Sequence, residues 1–211
     1  MSETDDTEGH LINNSICSDK KLIIQQSELT NEEIIKLDTI EIISDLLSNI
    51  CEENKKKNEQ KNLLLKSFNN KNIPSISIKD YLFRLIKHTQ INESTIIIIL
   101  IYIDRICNIN HFFLSYYNIH KLILAAFILA IKYNEDNYYS MIFYSKLGGV
   151  TPGELNKLES EFLLLIRYNL LVQEKLYNKY YNDLMSLKSD SEEEYESDEG
   201  EEGDDDIIGN N

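Results

Sequence analysis

Apolar residues recur every three or four positions between Ile34 and Ile50, at Ile34, Leu37, Ile40, Ile43, Leu47 and Ile50. That spacing makes one apolar stripe on a helix. Ahead of it, Thr30-Asn31-Glu32-Glu33 matches a capping box, with a hydroxyl at the N-cap and a carboxylate three residues on. The pattern predicts a first helix of roughly two dozen residues ending near Cys51. Glu52–Asn62 (EENKKKNEQKN) holds no apolar residue and reads as a solvated helix end or a linker. Leu22–Ile24 is an apolar cluster of ambiguous state, and Pro74 opens the compact part.

Five helices with short connections are predicted from Pro74 to about Leu171. The first covers about Ile76–Thr89, with Ile78, Leu82, Leu85 and Ile86 on one face. The second, about Glu93–Asn108, is apolar nearly all round, and its β-branched isoleucines leave a strand open as an alternative. Continuation of the run through Asp104-Arg105-Ile106-Cys107 favours helix on length. The third, about Asn118–Tyr133, is apolar on every face, the mark of a helix buried at the centre of a bundle. A short fourth, about Tyr138–Leu147, is stopped by Gly148-Gly149. The fifth starts at Thr151-Pro152-Gly153-Glu154, an N-cap hydroxyl, a Pro at N1 and a capping-box Glu at N3, and runs to about Tyr168. A further helix is predicted around Gln173–Met185. The fold class is therefore all-α.

Charge changes this picture only at the ends. The 211 residues carry 36 acidic and 21 basic side chains, a net charge of −15. Residues 1–19 hold five carboxylates and residues 189–211 hold twelve, with no Lys or Arg in either stretch. The body between them has a net charge of +2. Both ends are expected to be disordered, since neither can bury a core. No basic surface is indicated, so neither nucleic acid nor an anionic membrane is an expected partner. The longest apolar runs, Ile96–Ile103 and Leu122–Ile131, fall well short of the ~20 residues that a membrane span needs. MSETDDTEGH lacks the basic and apolar regions of a secretion signal. Three cysteines, at Cys17, Cys51 and Cys107, form no CxxC pair and point to a reduced intracellular protein, in nucleus or cytoplasm.

The usual catalytic devices are mostly missing. Gly148–Gly153 has neither the Lys-Ser/Thr nor the spacing of a phosphate loop, and helix stop plus helix start explains it. His10, His88, His111 and His120 form no HExxH, and Cys107 with His111 is too small a set for a metal. No serine lies in a GxSxG setting. No cofactor, metal or small-molecule substrate is expected, and the chain does not read as an enzyme.

Charges at helix ends and stripe edges are more informative. On the fifth helix, with Leu155 at zero and an advance of about 100° per residue, Phe162 falls near 340° and Ile166 near 20°. Glu159 falls near 40°, on the edge of the apolar stripe, whereas Glu161 falls near 240° with Lys157 on the polar side. A carboxylate at such an edge is costly unless paired. Lys132 is the one charge after Lys121 in the third helix and sits in its last turn, where the helix dipole favours a cation. Geometry leaves two readings open for both residues, surface charge or functional contact. Asp104-Arg105 poses the same question.

The segment Pro74–Leu171 resembles a cyclin box, specifically that of the P/U-type cyclins, the group with the yeast phosphate-regulation cyclin. The matching pieces are Tyr81-Leu82-x-Arg84-Leu85, Tyr102-Ile103-Asp104-Arg105-Ile106 and Leu129-Ala130-Ile131-Lys132-Tyr133-Asn134-Glu135-Asp136. Two more, Tyr144-Ser145-Lys146-Leu147-Gly148-Gly149-Val150 and Glu154-Leu155-Asn156-x-Leu158-Glu159-x-x-Phe162-Leu163, are characteristic of the P/U group. The resemblance implies a five-helix box that binds and activates a cyclin-dependent serine/threonine kinase as a heterodimer. By the same resemblance, Lys132 and Glu159 grip the kinase beside its mobile αC helix, flanked by Leu129, Tyr133, Glu135, Leu163 and Tyr168. Ser75 stands where many cell-cycle cyclins carry a substrate-patch arginine, so its usual pairing with Asp104 cannot form. A helical scaffold or transcription-factor-like cyclin-box module is the alternative reading.

The expected organisation is thus an acidic N-terminus (1–28), a helix and polar linker (29–72), one cyclin box (73–171), a C-terminal helix (172–188) and an acidic tail (189–211). Ser189 and Ser191 each have a Glu three residues on, and Ser197 precedes Asp198-Glu199, which resembles sites for acidophilic kinases. The competing reading is a solubilising tail.

Overall fold

The computed structural model describes residues 30–56 and 66–198, with side chains up to residue 188. The expectations for 1–28, 57–65 and 199–211 lie outside the described residues, as do the side chains of Ser189, Ser191 and Ser197. Seven helices and no strand occur among the described residues: α1 (Asn31–Lys56), α2 (Ile78–Lys87), α3 (Glu93–Asn110), α4 (Ile119–Asn134), α5 (Met141–Gly148), α6 (Pro152–Leu165) and α7 (Glu174–Asp198).

The chain divides into two units, Met1–Lys36 and Leu37–Asn211. In the first, the capping box forms in full. Glu33 N–H donates to Thr30 Oγ1 at 3.3 Å, and Thr30 N–H returns a bond to Glu33 Oε2 at 2.9 Å. The Thr30 N–H and then the Thr30 hydroxyl, both donating to Oε2, lower the pKa of the Glu33 carboxyl. One turn on, Lys36 pairs with Glu32 at 2.8 Å.

In the second unit α4 is the central helix, packed against α2, α3 and α6. Every residue from Leu122 to Ile131 is buried, as the all-round apolar pattern requires. Isoleucine-rich α3 is a helix of 18 residues, so length decided correctly against strand. Its other face meets α6 and α7. From Ile40 to Cys51, α1 adds a stripe of buried residues to the same core.

The helix boundaries have local causes. Ser77 caps α2 by accepting from Asp80 N–H at 2.9 Å. Ser140 caps α5, so that helix begins at Met141 rather than Tyr138. Gly149 stops it with φ +72°, a left-handed conformation that glycine adopts without strain. A Cβ on Gly148 would lie 2.5 Å from a methyl of buried Leu124, so the first glycine is there for space. Thr151 caps α6 at 3.1 Å from Glu154 N–H. The Glu154 side chain is paired with Lys121 at 2.8 Å, because a cation is the stronger partner for a carboxylate. Arg167 and Tyr168 both have φ +56°, which ends α6 at Leu165, before the expected Tyr168.

One expectation is corrected. The acidic segment 189–198 is helical, continuing α7 to Asp198, where a disordered tail beginning at 189 was expected. Extending an existing helix costs far less than starting one, Glu is a good helix former, and no Gly or Pro intervenes before Gly200.

Candidate functional site

Lys132 occupies the last turn of α4, and Glu159 lies midway along α6, the neighbouring helix. Lys132 Nζ donates to Glu159 Oε1 at 2.6 Å. The Glu159 side chain is 15% exposed and that of Lys132 31%. The stripe-edge carboxylate is thus paired, as its burial demands. One of the ammonium's three donors is used in this bond, so the pair presents further N–H donors and a second carboxylate oxygen at the surface. Glu161, assigned to the polar side, pairs with Lys157 at 3.7 Å and accepts from Ser67 at 2.9 Å.

The flanking residues separate into three kinds. Tyr133 and Tyr168 are exposed, at 51% and 66%, and Leu163 is half-buried against the core. Leu129 is a core residue, 3% exposed, and offers almost no surface. Glu135 has a structural task. It accepts from Asn92 N–H at 2.9 Å, Asn92 Nδ2 at 2.8 Å and Thr95 Oγ1 at 2.5 Å, at the N-terminus of α3. A carboxylate there satisfies donors that the helix leaves open and suits the positive end of its dipole. Glu135 therefore ties the end of α4, three residues past Lys132, to the start of α3. A polar cleft of about 360 Å³ opens beside it, lined by Asn92, Asp136, Tyr138, Tyr139 and Tyr144.

Leu164, 61% exposed, is absent from the residues that the resemblance places around the pair. Its signal was available: at about 100° per residue it falls opposite Leu155, where an apolar side chain has no core to enter. Ile142 and Tyr138 are likewise exposed apolar side chains around α5.

The motif residues hold this surface in place. Tyr81 OH donates to Gly148 O at 3.1 Å, and the Arg84 guanidinium lies 5.0 Å from the Tyr81 ring centre. Arg105 Nη1 donates to Asn169 O at 2.5 Å and to Leu171 O at 3.3 Å, gathering the chain that leaves α6. Asp104 accepts from Tyr180 OH at 2.6 Å and Asn108 Nδ2 at 2.7 Å. Where Ser75 offers no arginine, a tyrosine of α7 is the partner of Asp104.

No group of three or more His, Cys, Asp or Glu side chains that could hold a metal occurs among the described residues. Burial pushes the thiols of Cys51 and Cys107 up to about 12, away from nucleophilic reactivity. No described helix is long and apolar enough to cross a membrane.

Comparison with known proteins gives the surface its context. The family model described as Cyclin matches residues 24–170. Cyclin-U4-2 of Arabidopsis thaliana is 31% identical over 169 residues, 79% of this chain and 77% of that protein. Cyclin-U2-2 of the same plant is 36% identical over 114 residues, 54% of this chain. The PHO85 cyclin-like protein psl1 of Schizosaccharomyces pombe is 37% identical over 121 residues, 56% of this chain. These last two matches take in half the length of the relative. On the all-helical box, its P/U-group motifs and these matches, the chain belongs to the cyclin family and is of the P/U type.

Proposed function

We propose that the chain is the regulatory subunit of a cyclin-dependent serine/threonine kinase and activates it by favouring the inward position of the kinase αC helix. The observation that carries this reading is the Lys132–Glu159 pair at the surface, with exposed Tyr133, Leu164 and Tyr168 on the same two helices and their ends. A relative whose name reads PHO85 cyclin-like protein supports a kinase as the partner.

The mechanism is a population shift. The kinase is inactive while its αC glutamate is away from the β3 lysine, and a subunit that binds the inward state better shifts the balance. Moving that equilibrium from about 1:99 to 99:1 takes a differential of about 5.5 kcal/mol. A half-exposed charge pair contributes at most about 1 kcal/mol. Apolar contact through exposed Tyr133, Leu164 and Tyr168 supplies the rest, to the extent that it is made better to the inward state. Lys132 and Glu159 then fix register and orientation as interface anchors, and neither is an acid or a base in the reaction. The site of action is intracellular, in nucleus or cytoplasm.

The test is a charge swap, Lys132→Glu with Glu159→Lys, which keeps an internal pair while inverting what a partner meets. Kinase co-purification and phosphotransfer should both fall at least tenfold while the helical content is unchanged. Wild-type binding by the double variant would remove this surface from the interface.

A further inference from the structure

The chain has two prolines; Pro74 follows Ile73, and Pro152 follows Thr151. Thr151-Pro152 is therefore the single Ser/Thr-Pro dipeptide in the 211 residues. Proline has no backbone N–H, so a pocket that offers this position no hydrogen-bond acceptor takes proline and rejects other residues. Proline-directed protein kinases choose their acceptor hydroxyls in this way.

The surroundings of Thr151 suit that role. Thr151, Pro152 and Gly153 are all exposed, and a Cβ built on Gly153 would meet nothing within 4 Å. The Thr151 backbone is extended, at φ −77° and ψ 154°. Its Oγ1 accepts from Glu154 N–H at 3.1 Å, while its hydroxyl proton is donated to no described residue. Presenting the dipeptide requires opening only the first turn of α6, the part of a helix that frays most readily.

A receptor for the added charge stands nearby. Arg84 of α2 rests on the Tyr81 ring and forms no ion pair with a described residue. Its Nε is buried without a hydrogen-bond partner. Its Nη2 lies 3.8 Å from where a Cβ on Gly149 would stand, two residues before Thr151. A guanidinium is a fork of donors matched to phosphate oxygens. Lys121 is also at this end of α6, on Glu154.

We propose that Thr151 is a phosphorylation site for a proline-directed protein kinase, and that the phosphate is held by Arg84 and the start of α6. In the transfer, Thr151 Oγ1 bonds to the γ-phosphorus of ATP and the bond from that phosphorus to the bridging oxygen breaks. ADP leaves, and the hydroxyl proton passes to the kinase's catalytic-loop aspartate. The product carries about −1.5 to −2 charge at the positive end of the helix dipole. Glu159 lies eight residues further on, about 12 Å along the axis at about 1.5 Å per residue. The modification thus recharges the helix that carries Glu159 without touching its pair with Lys132. Ser189, Ser191 and Ser197 are not followed by proline, so the same kinase passes over them.

Incubation of the full 211-residue chain with MgATP and a purified mitogen-activated protein kinase tests the proposal. That enzyme takes no cyclin subunit, so the result is independent of the function proposed above. Intact-mass spectrometry should show one added phosphate, and fragmentation should place it on Thr151. Pro152→Ala keeps the N-cap hydroxyl and should slow incorporation at least tenfold, whereas Thr151→Ser should still be modified. The phosphorylated chain should melt about 2–4 °C higher than the unmodified one at low salt, and molar salt should remove most of that gain. In Arg84→Lys the gain should be smaller. No incorporation, phosphate on another residue, wild-type incorporation into Pro152→Ala, or a melting point unchanged by the phosphate would each overturn the assignment, and an equal gain in Arg84→Lys would remove the guanidinium from the site.

Discussion

Lys132 and Glu159, separated by 27 residues in sequence, meet at 2.6 Å across the α4–α6 interface. Each is the partner that makes the other tolerable at its partly buried position. The pair is complete in the isolated chain, so a binding partner finds it already assembled.

Single and double charge reversals should separate on stability. Lys132→Glu alone brings two carboxylates together and should cost about 1–2 kcal/mol, with Glu159→Lys costing a similar amount. The double swap should recover most of that loss. Urea unfolding of the three variants measures it, and additive losses in the double variant would show that the two side chains do not couple.

The two glycines that close α5 should fail differently on substitution. Gly148→Ala drives a methyl into Leu124, which is fully buried and has little room to turn, and should cost about 1–3 kcal/mol. Gly149→Ala meets nothing closer than Arg84 Nη2 at 3.8 Å but must hold φ +72°, a cost of about 1 kcal/mol. Truncating Leu124 to Ala should rescue part of the Gly148 defect and none of the Gly149 defect, as thermal melts would record.

His120 should make the fold acid-sensitive. Its ring is 5% exposed, Nε2–H donates to Ile76 O at 2.9 Å, and burial lowers its pKa below the ordinary 6.5. The unfolded chain therefore takes up the proton first as pH falls. Stability conferred by the neutral ring is complete above about 6.5 and declines below it, until the folded pKa is passed, by up to about 1.4 kcal/mol per pH unit. Denaturation midpoints between pH 7 and 5 should show this slope in the wild type and a smaller one in His120→Gln. Equal slopes would assign the acid sensitivity to other groups.

Much of this was readable from residue order because its causes are local. Thr30 with Glu33, Thr151 with Glu154 and the stop at Gly149 are contacts within one turn, and short-range spacing describes them. The edge position of Glu159 followed from helical phase. What escaped the sequence lies at long range or in elements without phase. Leu129 sits in a helix apolar on all sides, so periodicity could not say that it points inward. Glu135 reaches Asn92 and Thr95 from 40 or more residues away, and Tyr180 reaches Asp104 from 76. No window along the chain contains such pairs. The helix past 188 likewise depends on what precedes it, because an acidic stretch that could not start a helix extends one already running into it.

Glu135 sets the entropy of any encounter at the end of α4. Three hydrogen bonds to Asn92 and Thr95 pin the turn that follows Lys132 and Tyr133. A partner landing there has little backbone left to immobilise on this side. The turn after α4 is thus a fixed edge, tied to the start of α3 before anything meets it.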